Sequence, residues 1–425
     1  WVLCDMYALC DVSAMYASCE KVFDPSIRKK PVVVLTNNDG CICATCPVAR
    51  KMGIGKSFVP YFTVKNELAA AGAVVRSSNY ELYADLSQRL MDTCARFAPD
   101  HHVYSIDECF LYFGSYVPDI GWEAHARDIR RTVWKEVRLP IGVGIGPTPT
   151  LAKAANHASK HIAGFNGVAV IDNEAVRRRV LKQMSVRDIW GIGRRLARRL
   201  NEMGIESAWQ LAQSKPALMR KHFSILVEST VHELNGIPKL SWDDVRAPKQ
   251  QIYSTRSFGA RVTDKSVLRQ ALLSHVGIAA SKLRRQQGLA STLQVFASNS
   301  PHDGEPFYRK SFTYQFLTPT SDTTVIAHAV SGLVDGLYKS GVHFYKCGVG
   351  LIEIVDASQY QADLFSISND NPSLMQCMDS INARYGRNTV HIAGQGITPQ
   401  YAMKRAFLSP QYTTRFEGLP KIRCC

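Results

Sequence analysis

No run of about 18 apolar residues occurs anywhere in this chain of 425 residues, so nothing in it reads as a membrane-spanning helix. Its beginning lacks the basic n-region, apolar h-region and small-residue cleavage site of a secretory leader. The first methionine is Met6, and Trp1 to Asp5 read as an extension ahead of the natural start. Low-complexity tracts are missing too, and 46% apolar residues is a globular composition rather than a disordered one. The 12 cysteines lack the spacing of a disulfide framework, which points to a reducing, cytoplasmic setting. Cys41, Cys43 and Cys46 cluster without a second ligand pair, and read as buried or incidental thiols rather than a zinc site. Negative charge is in short supply: 36 acidic residues face 51 Lys and Arg, a net of +15. That imbalance favours a polyanionic partner through released counterions, although any basic soluble protein shares it. The length allows two to four compact units.

What is present starts with Tyr104-Ser105-Ile106-Asp107-Glu108-Cys109-Phe110, where adjacent carboxylates interrupt a β-patterned, strand–bend–strand segment. Neighbouring carboxylates repel unless a cation neutralises them. Asp11 ends another apolar run, Tyr7 to Cys10, and three carboxylates on neighbouring strand ends would make a hard oxygen site suited to Mg²⁺ and phosphoryl transfer. By itself, an Asp-Glu pair is equally the pattern of a solvated turn.

Strands are expected at 6–12, 31–35, 141–145 and 167–171, with helices at 13–23, 79–97, 122–137 and 150–159. This alternation suits an α+β unit of split β-α-β pieces. Beyond Asp172 the chain turns helical and Arg-rich. Trp190-Gly191-Ile192-Gly193-Arg194-Arg195 opens a helix with Arg194, Arg195, Arg198 and Arg199 on one face, the pattern of a helix-hairpin-helix that grips nucleic-acid backbone. An ordinary amphipathic helix with a solvated basic face is the alternative. Residues 241–249 read as a linker, and a second α+β domain follows, with strands at 253–262, 289–298, 307–317 and 346–355 and a helix at 267–286. From Asp356 the pattern weakens into a tail expected to gain order only with partners.

Taken in order, Leu9-Cys10-Asp11-Val12-Ser13-Ala14-Met15-Tyr16, Asn37-Asn38-Asp39-Gly40-Cys41, Ser77-Ser78-Asn79-Tyr80-Glu81-Leu82-Tyr83, Tyr104 to Glu108, Leu151-Ala152-Lys153, Trp190 to Arg195 and Leu408 to Arg415 resemble a Y-family DNA polymerase, specifically the UmuC-type catalytic subunit of bacterial DNA polymerase V. The likeness runs from Met6 to about Arg415, and residues 416–425 match nothing interpretable.

The resemblance implies a multidomain right-hand polymerase of α+β class: a ferredoxin-like palm at 6–15 and 79–172, small fingers at 16–78, a helical thumb with the helix-hairpin-helix at 173–240, an α+β little finger at 250–355 and a tail at 356–425. It implies that Asp11, Asp107, Glu108 and the Val12 carbonyl hold two Mg²⁺ ions, the three carboxylates being catalytic. Tyr16 would be a steric gate against a ribose 2′-hydroxyl, and Arg50, Lys153 and Lys160 would bind the triphosphate. DNA would be held at Gly191, Gly193, Arg194, Arg195 and Arg198. Gln361, Leu364 and Phe365, in Gln361-Ala362-Asp363-Leu364-Phe365, resemble a sliding-clamp peptide. Where many members have Tyr-Glu-Ala-Arg, this chain has Pro47-Val48-Ala49-Arg50, which removes a phenolic hydroxyl and a backbone donor.

The function so implied is error-prone translesion synthesis on primer-template DNA with dNTPs, in bacterial SOS mutagenesis, in the cytoplasm at the nucleoid. A processed UmuD-type dimer, a RecA filament and the sliding clamp would be partners, with no membrane. A nucleotidyl cyclase with a palm-like site and a non-catalytic DNA-binding repair scaffold are the alternatives. The first has no use for a basic hairpin, and the second none for three gathered carboxylates.

Overall fold

The structure, a computed structural model, describes residues 5–240, 242, 248–361, 368–397 and 401–419. It divides into two compact units, Trp1–Ala247 with Ala406–Cys425, and Pro248–Arg405.

The first unit opens with strand β1 (Tyr7–Val12), buried except at Asp11. Ala14 takes a left-handed conformation, φ 51° and ψ 55°, and turns the chain sharply into helix α1 (Met15–Val22). Next come β2 (Val32–Leu35), β3 (Ile42–Thr45), α2 (Pro47–Lys51), α3 (Tyr61–Ala70) and β4 (Val74–Ser77), and the three strands form a sheet ordered β3-β2-β4. The aliphatic side chains of β2 are all buried, so this small sheet is anchored by one strand. Pro47 stands at the first position of α2, where a missing N–H costs nothing.

Helix α4 (Tyr80–Ala95) leads to β5 (Asp100–Val103), β6 (Glu108–Tyr112), α5 (Trp122–Glu136), β7 (Ile141–Gly146), α6 (Pro149–His161) and β8 (Val168–Val170). These strands, with β1 in the middle, form a sheet ordered β5-β6-β1-β7-β8. Ala8, Cys10, Val12, Cys109, Leu111, Val143 and Ile145 join Leu82, Leu86, Leu90, Ile129 and Val133 of α4 and α5 in one core. By period-two alternation the other face carries Tyr7, Leu9 and Asp11, paired with Tyr112, Phe110 and Glu108. Opposite them on β7 stand Gly146, Gly144 and Gly142. Those glycines admit α6, for a Cβ on Gly144 would lie 2.0 Å from the Asn156 amide nitrogen. Asn156 then donates to the Leu9 and Gly142 carbonyls at 3.0 and 2.8 Å, fastening α6 across β1 and β7. Five further helices, α7 (Glu174–Gln183), α8 (Arg194–Glu202), α9 (Ala208–Ala212), α10 (Pro216–His222) and α11 (Ile225–Leu234), complete the Arg-rich segment.

The second unit is an antiparallel sheet ordered β11-β10-β12-β9, from β9 (Gln251–Val262), β10 (Gly288–Ser298), β11 (Arg309–Thr320) and β12 (Phe344–Asp356). Helices α12 (Lys265–Arg285) and α13 (Thr323–Leu337) share its core. The sequence reading has no helix at α13, because its β-branched residues and two glycines weaken helix propensity. The stripe Ile326, Val330, Val334 and Leu337 is buried nonetheless, and Asp322 caps the helix by accepting from the Thr324 amide at 2.7 Å.

The expectation of a tail that gains order only with partners is overturned for the described residues. Helix α14 (Pro372–Tyr385) is held by Arg284, whose guanidinium makes a two-pronged contact with Asp379 at 2.7 and 2.8 Å. Downstream, the Phe407 amide donates to Ser77 Oγ and the Ser77 amide to the Phe407 carbonyl, at 2.9 and 3.0 Å.

Candidate active site

Asp11 and Glu108 are direct partners on antiparallel strands. Directly opposed residues place their Cβ atoms about 5 Å apart on the same face. Asp107 lies in the bend before β6, and its carbonyl accepts from the Val12 amide at 3.0 Å, so the bend is tied to the end of β1. Ser105 organises the bend: its hydroxyl donates to an Asp107 carboxylate oxygen and accepts from the Asp107 and Glu108 amides at 3.3 and 3.1 Å. Burial lifts the Asp11 carboxyl above its ordinary range, the Lys160 ammonium pulls it back down, and Glu108 and Asp107 push it up again. This mutual repulsion is what gathered carboxylates produce.

Two lysines, two helical turns apart on α6, answer that negative charge. Lys160 Nζ stands 2.7 Å from Asp11 Oδ1, and Lys153 Nζ donates to Glu108 Oε1 at 2.9 Å. Gly142 makes room for the first, since a Cβ there would meet Lys160 Cε at 2.7 Å. Lys153 lies in an aromatic box, 4.4 Å from the Tyr104 ring centroid and 5.3 Å from that of Trp190. The structure thus sets Lys153 against Glu108. Among the described residues no three His, Cys, Asp or Glu side chains form a ready-made metal cage, and the three carboxylates are held by Lys160, Lys153 and Ser105. The donor set is nevertheless all oxygen, anionic and in register, which fits a hard divalent cation.

Tyr16 lies on α1, five residues past Asp11. Its ring stacks on Tyr83, with centroids 4.6 Å apart and planes at 18°, and meets the Tyr80 ring edge-on at 6.0 Å. Burial pushes its hydroxyl up to about 12, with smaller contributions from Tyr80, Cys43 and Asp107. Arg50 is exposed on α2 and its Nε donates to the Thr45 carbonyl at 3.1 Å. Of the clustered cysteines, Cys43 donates to the Val34 carbonyl at 3.3 Å and Cys46 accepts from the Val32 amide at 3.1 Å.

The basic hairpin precedes α8. Gly191 has φ 84°, a conformation that favours glycine, and a Cβ at Gly191 or Gly193 would meet nothing within 4 Å. The backbone is therefore open to close approach. Arg194, Arg195 and Arg198 are exposed. Arg199 is not available in the same way, because it donates to the His222 carbonyl at 2.6 Å and stacks on Phe223. Gln361 is described, whereas Leu364 and Phe365 lie outside the described residues.

Ser105, Asn156, Gly142 and Tyr83 escaped the sequence reading of the site. Ser105 and Tyr83 fall inside recognisable motifs, but their roles depend on partners that only folding supplies.

The model of the impB/mucB/samB family matches residues 10–157, that family's C-terminal domain 249–364, and the IMS family HHH motif 174–205. A domain of unknown function, DUF4113, matches residues 372–422. Protein UmuC of Salmonella typhimurium is 41% identical over 426 residues, covering 98% of this chain and all of the relative. Protein SamB of the same organism is 41% identical over 424 residues, with the same coverage. Among solved structures, a Y-family polymerase chimera of Dbh and Dpo4 superposes with a TM-score of 0.62 at 21% identity, covering 82% of this chain and 99% of that one, and shares the fold. The chain belongs to the impB/mucB/samB family, as a UmuC-type DNA-directed DNA polymerase with the right-hand α+β architecture of the Y family.

Proposed function

We propose that this chain performs error-prone translesion synthesis, adding deoxynucleotides to a primer 3′-hydroxyl opposite damaged template bases in bacterial SOS mutagenesis. The observation that carries the reading is the in-register pairing of Asp11 with Glu108, closed by the Asp107 bend and flanked by two lysines. Asp11, Asp107, Glu108 and the Val12 carbonyl would hold two Mg²⁺ ions. The chemistry that ions held there would supply is neutralisation of charge at the α-phosphate and at the attacking hydroxyl.

The remaining work falls to the chain's own groups. Positioning and charge neutralisation dominate phosphoryl transfer. Ser105 fixes the direction of the Asp107 carboxylate. Lys160 and Arg50 neutralise the triphosphate, while Lys153 steadies Glu108 from within its aromatic box. Tyr16 closes the sugar pocket against a 2′-hydroxyl. Gly191, Gly193, Arg194, Arg195 and Arg198 hold the DNA backbone without reading bases.

Within this reading the palm spans 6–15 and 79–172, the fingers 16–78, the thumb 173–240 and the little finger 250–355. The clamp peptide, a processed UmuD-type dimer and a RecA filament act on the assembled enzyme in the bacterial cytoplasm at the nucleoid. Primer extension on a lesion-containing template with Mg²⁺ tests the reading. Asp107→Asn is expected to reduce extension by at least a thousandfold while leaving primer-template binding intact; normal turnover by this variant would overturn it.

A further inference from the structure

The C-terminal segment that matches a domain of unknown function includes a stretch seated on the first unit behind Tyr16. Its first anchor is Asp39, which accepts from the Ala406 amide at 2.7 Å and from Ser77 Oγ at 2.6 Å. Next, Phe407 exchanges two hydrogen bonds with Ser77 and meets the Tyr61 ring edge-on at 5.6 Å. Asn79, fully buried at the start of α4, donates to the Ser409 carbonyl, the Ser409 hydroxyl and the Pro410 carbonyl at 3.2, 2.9 and 3.3 Å. Tyr412 then stacks on Phe23 at 4.9 Å.

Ser409 reaches further. Its hydroxyl donates at 3.1 Å to Glu20 Oε1, the same oxygen that accepts from the Tyr83 hydroxyl at 2.6 Å. Glu20 is 1% exposed and Tyr83 is fully buried. The other carboxylate oxygen has no hydrogen-bond partner, and Arg76 Nε is 3.6 Å away, beyond hydrogen-bond range. Half of the hydrogen bonding of this buried carboxylate therefore comes from Ser409. Glu20 is one helical turn beyond Tyr16 on α1, and Tyr83 is the ring on which Tyr16 stacks.

We infer that residues 406–412 form an intramolecular strap that positions Tyr16 through Ser409, Glu20 and Tyr83, and so sets the discrimination between deoxyribo- and ribonucleotides. Steric selection of a sugar depends on a ring that cannot yield, and a sub-ångström release of its support relieves the clash. Ser409 is a positioning residue in this scheme, and the inference rests on the reading of Tyr16 as the sugar gate.

The test is single-nucleotide insertion by the full chain, comparing kcat/KM for a dNTP with that for the matching rNTP. Tyr16→Ala should collapse the ratio; if it does not, the gate reading itself fails and the strap has nothing to act on. Ser409→Val, the apolar counterpart of Ser409→Thr, removes the hydroxyl and should lower the ratio about tenfold, the scale of one lost hydrogen bond to a charged group. That loss should appear as a lower KM for the rNTP with dNTP kcat nearly unchanged, and Ser409→Thr should restore the parental ratio. In the Tyr16→Ala background, Ser409→Val should have no further effect on selectivity. Tyr83→Phe removes the other donor to Glu20 while keeping the stack, and gives an independent reading should Ser409→Val fold poorly. Parental selectivity in both Ser409→Val and Tyr83→Phe, alongside a collapsed ratio in Tyr16→Ala, would overturn the strap.

Discussion

Lys160 and Lys153 are similar side chains on one helix face, yet their surroundings separate their roles. Lys160 faces Asp11 beside a glycine, whereas Lys153 is enclosed by three rings and Glu108. Lys160→Ala should therefore raise the KM for the incoming nucleotide about tenfold, as expected when one charge-assisted hydrogen bond is removed, with a smaller change in kcat, read by steady-state single-nucleotide insertion. Ser105→Ala should act oppositely, lowering kcat several-fold with little change in KM, since it loosens a carboxylate rather than the hold on the nucleotide. Asp11, Asp107, Glu108 and Tyr16 were legible because each lies in a short motif with a local signature. Gly142 and Asn156 were not, since nothing in their immediate neighbours says that Lys160 or two strand carbonyls will arrive beside them.

At the scale of elements, the glycines of β7 decide how closely α6 lies on the sheet. Gly144→Ala forces its Cβ against helix backbone and should cost about 3 kcal/mol, the upper range for an overpacked site, seen as a lower urea midpoint for the first unit. In the second unit, His275 of α12 is buried with Ser254 Oγ 2.9 Å from its Nδ1. Burial, assisted by Arg256, depresses the ring to about 4 from 6.5. The unfolded chain therefore binds a proton that the folded one refuses, and the stability is present above about pH 6.5 and lost as pH falls towards 4. Between pH 7 and pH 5 the loss should be roughly 2 kcal/mol, visible as a lower melting transition for the second unit and reduced in His275→Asn. Most strands, and the long helices α4, α5, α6 and α12, were readable from periodicity. Helix α13 was not, because three residues of its buried stripe, Ile326, Val330 and Val334, are β-branched and lean towards strand.

For the whole molecule, the +15 charge becomes meaningful once its local arrangement is known. Arg194, Arg195 and Arg198 are exposed behind an open glycine hairpin, whereas Arg199, Arg177 and Arg284 are engaged by internal carbonyls, carboxylates and amides. Replacing the three exposed arginines by alanine should weaken primer-template binding about equally across sequences. It should also flatten the salt dependence of log K by about 0.9 for each phosphate no longer neutralised, measured by fluorescence anisotropy across a salt series. The sequence by itself determined the polymerase family, the acidic motif, the basic hairpin and the alternation of strands and helices, because each is carried by residues close together in the chain. Tertiary structure alone brought Lys153 to Glu108, let glycines admit α6, and set Ser409 and Tyr83 on one oxygen of Glu20. The reason is physical: a hydrogen bond between Asn79 and Ser409 spans 330 residues, and no local pattern encodes a partner that only folding brings within reach.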